Sequence, residues 1–217
     1  RLVESLPSSR RLPLDEETVR AALGHALRET GHAESRLRVT FAPPRLFVSV
    51  EPFVPPDPVM QQAGVACMTM PIERDRPEAK DTRFLSAAHS AYSTMPAMIH
   101  EGLLVSNDGA ILEGLSSNFF GIHHGRLHTE ETRVLAGVTR SMVLEIAKDL
   151  LPRGEGPIHR AVVPELEEAF ITSVSREVLP VVKIDGTTIG SGKPGRITQE
   201  LMRRFAAAVE RERETVF

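Results

Sequence analysis

Tryptophan is missing from the sequence, and cysteine and tyrosine occur once each, as Cys67 and Tyr92. A single cysteine excludes an intrachain disulfide and fits a reducing compartment, so the expected setting is the cytoplasm. No apolar run approaches the ~20 residues that a membrane-spanning helix needs. Basic excess is missing too: a formal net charge of −3 leaves no footprint for nucleic acid or an anionic membrane. The Gly-x-Ser-x-Gly elbow of an acyl-transfer enzyme does not occur, and Cys67 lies in an apolar stretch without a basic neighbour. Gly190-Ser-Gly-Lys-Pro-Gly195 fails as a phosphate loop, because proline follows Lys193 where Ser or Thr is needed. What remains is an ordinary globular composition, long enough at 217 residues for one large domain or two unequal ones.

Asp15-Glu16-Glu17 supplies a cap and an acidic first turn for a helix to about Thr30, with Val19, Leu23, Ala26 and Leu27 on one face and Gly31 as its stop. Arg36 to Val50 alternates as strand on both sides of a break at Pro43-Pro44. Pro52, Pro55, Pro56 and Pro58 then make a stiff connector that continues neither a ladder nor a helix. The expected organisation is a small domain over 1–52, a linker over 53–60 and a larger domain over 61–217. Within the larger part, Gly64–Met70 reads as strand and Lys80 to about Tyr92 as helix. Asn107-Asp108-Gly109 and His124-Gly125 read as hairpin turns. Gly137–Leu150 has helical spacing, Phe170–Thr172 and Leu179–Ile184 read as strands, and a helix from about Ile197 closes the chain. Strands and helices mix without strict alternation, which gives a mixed α/β (α+β) class.

His123, His124 and His128 fall on the second hairpin. Metal ligands must converge from one side, whereas neighbours along a strand point to opposite faces, so no metal is expected there.

Four segments carry chemistry: Arg74-Asp-Arg-Pro-Glu-Ala-Lys80, Glu113-Gly-Leu-Ser-Ser-Asn-Phe-Phe120, Leu135-Ala-Gly-Val-Thr-Arg140, and Glu168 through Val181. In this order and spacing the chain resembles the class IV aminotransferases, the family of branched-chain and D-amino-acid aminotransferases and aminodeoxychorismate lyase. The resemblance implies a two-domain fold, here with an incomplete small N-terminal domain. It also implies a pyridoxal 5'-phosphate cofactor, an amino acid and a 2-oxo acid as substrates, and a homodimer. Lys80 is then the primary amine that holds the cofactor as a Schiff base and moves a proton at the substrate α-carbon. Glu113 is the acid that keeps the pyridine nitrogen protonated, since an opposite charge favours the charged form of a base.

A phosphate dianion suits a helix start, and Gly137-Val138-Thr139-Arg140 opens a predicted helix. The resemblance assigns the phosphate to Val138 and Thr139; Arg140 is either nearby or a structural cap. Arg1-Leu2-Val3-Glu4-Ser5 is similar to the family's Arg-Leu-x-x-Ser stretch, which makes Arg1 a phosphate partner. It also suggests that about fifty residues precede it, on usual domain sizes. A further contact is expected in the turn after Phe170, where the family often has threonine and this chain has Val174, with Ser173 able to donate instead. The tyrosine found a few residues after the lysine in many branched-chain enzymes is replaced by Phe84, which cannot make that hydrogen bond. Arg83 and Arg45 are candidates for the substrate carboxylate, with a solvated role open for both. A lyase of the aminodeoxychorismate type and a non-catalytic protein on the same fold are the alternatives. Substrate identity and handedness stay open.

Overall fold

Asp15 accepts the Thr18 N–H at 2.7 Å and starts α1 (Glu16–Thr30), which Gly31 ends in the left-handed region at φ 61. A computed structural model of the protein describes residues 15–77, 79, 80 and 83–215. They form two compact units, one holding the described residues up to Pro55 and those from Glu212 on, the other Pro56–Arg211.

In the first unit α1 lies against an antiparallel hairpin of β1 (Ser35–Ala42) and β2 (Arg45–Pro52), whose last pair, Ala42 with Arg45, brackets the two prolines. The second unit opens with α2 (Pro58–Ala63), capped by the Asp57 carboxylate on the Val59 N–H at 2.8 Å. The connector expected over 53–60 therefore gives way to helix at its end. Proline at the first helical position loses no hydrogen bond, because that N–H has no intrahelical partner.

Then follow β3 (Val65–Met70), α3 (Arg83–Thr94), β4 (Glu101–Val105), β5 (Ile111–Gly114), β6 (Asn118–His123) and β7 (Arg126–His128). After them come α4 (Val138–Ala147), a 3-10 segment (Arg160–Glu165), β8 (Glu168–Ser173), β9 (Glu177–Ile184), β10 (Thr187–Thr188) and α5 (Arg196–Arg211). The ladder β9-β3-β4-β5-β6-β8 returns to β9, so six strands close into a ring, with β7 and β10 added at its margins. β3 runs parallel to both β4 and β9, and the rest of the ring is antiparallel. The parallel step from β3 to β4 needs a crossover, and α3 supplies it.

Alternate residues of each strand explain the core. Val65, Cys67, Leu103, Val105, Ile111, Phe119, Ile171, Leu179 and Val181 come from all six strands and form one buried cluster that fills the ring. Their neighbours face outward: Phe120, Ile122, Phe170 and Val178 pack under α4 and α5, and Met70, Leu104 and Leu112 under α3. Phe120 and Phe170 stack at 4.8 Å between centroids. Both faces being apolar, the strands read as near-continuous hydrophobic runs.

One expectation fails on the second hairpin. His124 has φ 50 and already belongs to the turn, so strand alternation does not apply to it. The rings of His123 and His124 lie 3.9 Å apart, on one side rather than two.

The loop from β7 to α4 is wound about one carboxylate. Glu130 Oε1 accepts the backbone N–H groups of Glu131 and Thr132 at 2.9 Å and of Arg133 at 3.3 Å, and Oε2 accepts Arg133 Nε at 2.9 Å. The Glu130 carbonyl takes Arg140 Nη2 at 2.8 Å, which ties the loop to the first turn of α4. Burial by itself would raise this carboxyl's proton affinity. The hydrogen bonds from Thr132, Arg133 and Glu131 outweigh it, and the pKa falls to about 2. The folded value lies below the unfolded one, so the stabilisation is complete above about 4.5 and is lost as pH falls towards 2. Glu130→Gln should cost on the order of 3 kcal/mol at pH 7. Urea denaturation of both chains should show the gap shrinking at pH 3, and a gap that does not change with pH would contradict this origin.

Candidate active site

At one end of the ring, β4, β6 and β9 begin where β5 and β8 stop. Polar residues gather there. Glu113 on β5 pairs across the ladder with Asn118 on β6, and Asn118 pairs with Thr172 on β8.

The Glu113 side chain is only 3% exposed. Its Oε1 accepts Arg74 Nη1 at 3.0 Å, while Oε2 accepts the Leu135 N–H at 3.0 Å and Asn118 Nδ2 at 3.4 Å. A carboxylate offers about four acceptor positions, so the described residues fill three and leave one, on Oε1. Burial pushes the Glu113 carboxyl above the ordinary glutamate range, against the opposing pull of Arg74 and the Leu135 N–H. The result is a desolvated acid with one free acceptor position.

Arg74 links this acid to the lysine. Its Nη2 donates to the carbonyl of Ala79 at 3.1 Å, and the Phe84 ring lies under the guanidinium at 4.7 Å. Phe84, which cannot replace a tyrosine hydroxyl, instead covers the cation. Lys80 follows Ala79 directly and is exposed, whereas Ala79 is buried. The described part of α3 starts at Arg83, and Lys80 itself is not helical.

The start of α4 comes next to the same acid through Asn118. Asn118 Nδ2 donates to the Leu135 carbonyl at 2.8 Å, and a Cβ placed on Gly137 would fall 2.4 Å from Asn118 Oδ1. Only glycine fits this approach. Gly137 caps α4 with no side-chain hydrogen bond, so the first N–H groups of the helix, from Val138 on, lack an intrahelical acceptor. Val138 is exposed and Thr139 is buried. Arg140 is buried and turned to the Glu130 carbonyl, which makes it a strut of the preceding loop.

The turn between β8 and β9 completes the cluster. Ser173 Oγ accepts both the backbone N–H and the Nε–H of Arg176, each at 3.2 Å. A hydroxyl has two acceptor positions and one proton, so Ser173 is left able only to donate. Arg176 is fixed in turn by the fully buried Glu101, with Nη2 to Oε2 at 2.7 Å. Glu101 also accepts Ser117 Oγ at 2.9 Å and the Tyr92 hydroxyl at 2.7 Å. Burial first, and then the Glu101 charge, push the Tyr92 phenol up to about 12. Beside this turn the Thr172 hydroxyl is buried and, among the described residues, finds no partner. Val174 itself is exposed.

Arg74, Asn118 and the β6–β8 register thus connect Glu113 to Ala79 beside Lys80, to Leu135 ahead of Val138 and Thr139, and to Thr172 beside Ser173. Arg45 is exposed at the first position of β2, in the other unit. Arg1 and the side chain of Arg83 lie outside the described residues. Arg74 and Asn118 stand within the four sequence segments, where nothing gives them a role of their own. Glu101 carries one signal in the sequence, a charge at the first position of an otherwise apolar strand, and Arg176 stands in the β8–β9 turn, with no spacing to join them.

A family model described as amino-transferase class IV matches residues 1–184. A D-alanine aminotransferase of Bacillus licheniformis is 34% identical over 145 residues, 65% of this chain and 51% of that protein. The T.th. branched-chain amino acid aminotransferase, solved with pyridoxamine 5'-phosphate, shares the fold with a TM-score of 0.81 at 22% identity, over 97% of this chain and 78% of that one. That of Thermoproteus uzoniensis, solved with norvaline, gives 0.76 at 24% identity over 93% and 74%. The chain spans about half the length of the curated relatives it matches, 56% and 51% for two of them. With the model covering most of its length, the chain belongs to the amino-transferase class IV family.

Proposed function

We propose that the chain forms the cofactor-holding part of a pyridoxal-phosphate transaminase working between an amino acid and a 2-oxo acid, as a cytoplasmic homodimer. The observation that carries this is Glu113, a buried acid with one acceptor position open and a single arginine between it and the peptide of Lys80. The residues present fit the group. The donor-only Ser173 and the start of α4, which has no side-chain cap, form a donor set suited to a phosphate. Among the described residues no helix is long and apolar enough to cross a membrane.

Pyridoxal phosphate supplies an electron-accepting ring at which the bond to the substrate α-hydrogen is weakened. Lys80 gives that site a primary amine, able to hold the aldehyde carbon and to carry the α-proton. Glu113 would keep the ring nitrogen protonated, and Arg74 with Asn118 fixes the direction of its carboxylate. Ser173 and the N–H groups of Val138 and Thr139 orient the phosphate, with Val174 contributing its backbone alone. Arg1 adds a charged donor to the phosphate, and Arg83 and Arg45 are the cations proposed for the substrate carboxylate.

Reconstituted protein should show the visible absorbance of bound cofactor and amino-group transfer with a set of D- or L-amino acids. Lys80→Ala should abolish both, while Glu113→Gln should keep the cofactor and lose about 10²-fold in turnover. A folded protein that binds cofactor but turns over no amino acid would favour the non-catalytic alternative. Ser173→Ala should weaken pyridoxal phosphate about tenfold, one charge-assisted hydrogen bond, and leave unphosphorylated pyridoxal unchanged in equilibrium titration. Equal weakening of both ligands would remove Ser173 from the phosphate.

A further inference from the structure

A group of side chains away from this end of the ring has no part in the transaminase reading. The ligand atoms of His123, His124 and Glu165 all lie within 4.8 Å of one another. His123 Nε2 is buried and has no hydrogen-bond partner among the described residues. Its nearest anionic atom is Glu165 Oε2 at 3.5 Å. A buried ring nitrogen without a partner is costly, and such an atom in a native fold calls for a missing partner.

We propose that these three side chains bind a divalent transition-metal ion, with zinc as the representative case. Two imidazoles and one carboxylate are the donor set that such ions take up, and three protein ligands leave further positions for water. The three come from two segments that are already fastened together. His123 ends β6 and pairs with Arg126 across the turn. The Gly125 N–H donates to the Glu167 carboxylate at 3.0 Å, and the Glu167 N–H donates to the Ile122 carbonyl at 2.9 Å. Glu165, the last residue of the 3-10 segment, is therefore held beside the hairpin by contacts on both sides of the histidines.

Ligand atoms about 2.1 Å from a tetrahedral zinc stand about 3.4 Å apart. Closing the present spacing to that value needs side-chain rotation of His124 and Glu165, both of them exposed, about the more buried His123. His128 is excluded: its ring lies 6.1 Å from that of His123 and packs over Gly154, where a Cβ would approach it to 2.1 Å. A protonated His123 paired with Glu165 is the rival arrangement, and acid separates the two. Protons compete with a metal for imidazole, whereas they strengthen an ion pair.

The test is calorimetric titration of tag-free, chelator-treated full chain carrying its cofactor with zinc chloride at neutral pH, together with its melting temperature. One equivalent should bind, the melting temperature should rise with zinc, and binding should weaken as the solution is acidified. His124→Asn, chosen because asparagine tolerates the left-handed backbone, and Glu165→Gln should each weaken binding about tenfold or more. His128→Asn should leave it unchanged. No saturable equivalent, native-like binding by the first two variants, or a loss confined to His128→Asn would overturn the proposal.

Discussion

Burying a carboxylate beside a guanidinium costs several kcal/mol per ion before any attraction is counted. The Glu113–Arg74 pair is buried in this way, with side chains 3% and 11% exposed. Its stability depends on most of the remaining hydrogen-bonding positions being filled, and those that are filled draw on several parts of the chain. Leu135 donates from the loop before α4, Asn118 from β6, and Ala79 accepts from the segment that carries Lys80. One desolvated pair thereby fixes the relative placement of the Arg74–Ala79 segment, the β5–β6 hairpin and the loop before α4. Were either partner removed, the other would be left as a buried uncompensated charge.

Glu101 and Arg176 repeat the same logic on the other side of the β5–β6 turn. Their pair is closed by Ser117, Tyr92 and Ser116, and it fixes the Ser173 hydroxyl with its proton outward. The ring of strands has an apolar interior, and the buried carboxylates Glu101 and Glu113, with their arginine partners, stand at the end where the strand ends and starts meet. A rigid apolar frame with paired ions at one mouth suits a site that must hold an anionic, aromatic group in a fixed direction.

Local signals in the sequence translate well where the physics is local. Asp15 and Gly31 delimit α1, and the two prolines break β1 from β2. Glu113 and Gly137 enter through the resemblance of the four segments, not through composition or periodicity. The failures have equally definite causes. Pro58 reads as a helix breaker, although at the first position of α2 it costs nothing. The helix expected from Lys80 does not include the lysine itself, since apolar spacing from Phe84 to Ala91 does not say where the first turn begins. Strand alternation sets His123 and His124 on opposite faces, but that rule ends where the strand ends. Arg176 and Glu101 are 75 residues apart, and no periodicity in a single sequence joins a strand's first residue to a distant turn.

The claim on which the rest depends is that Lys80 alone carries the cofactor, facing the acid that Arg74 holds. Reduction of the cofactor-loaded protein with borohydride, followed by peptide mapping by mass spectrometry, reads this directly. The account predicts a phosphopyridoxyl mass on the peptide containing Lys80 and on no other. The same mass on Lys148, Lys183 or Lys193, or spread among them, would contradict it.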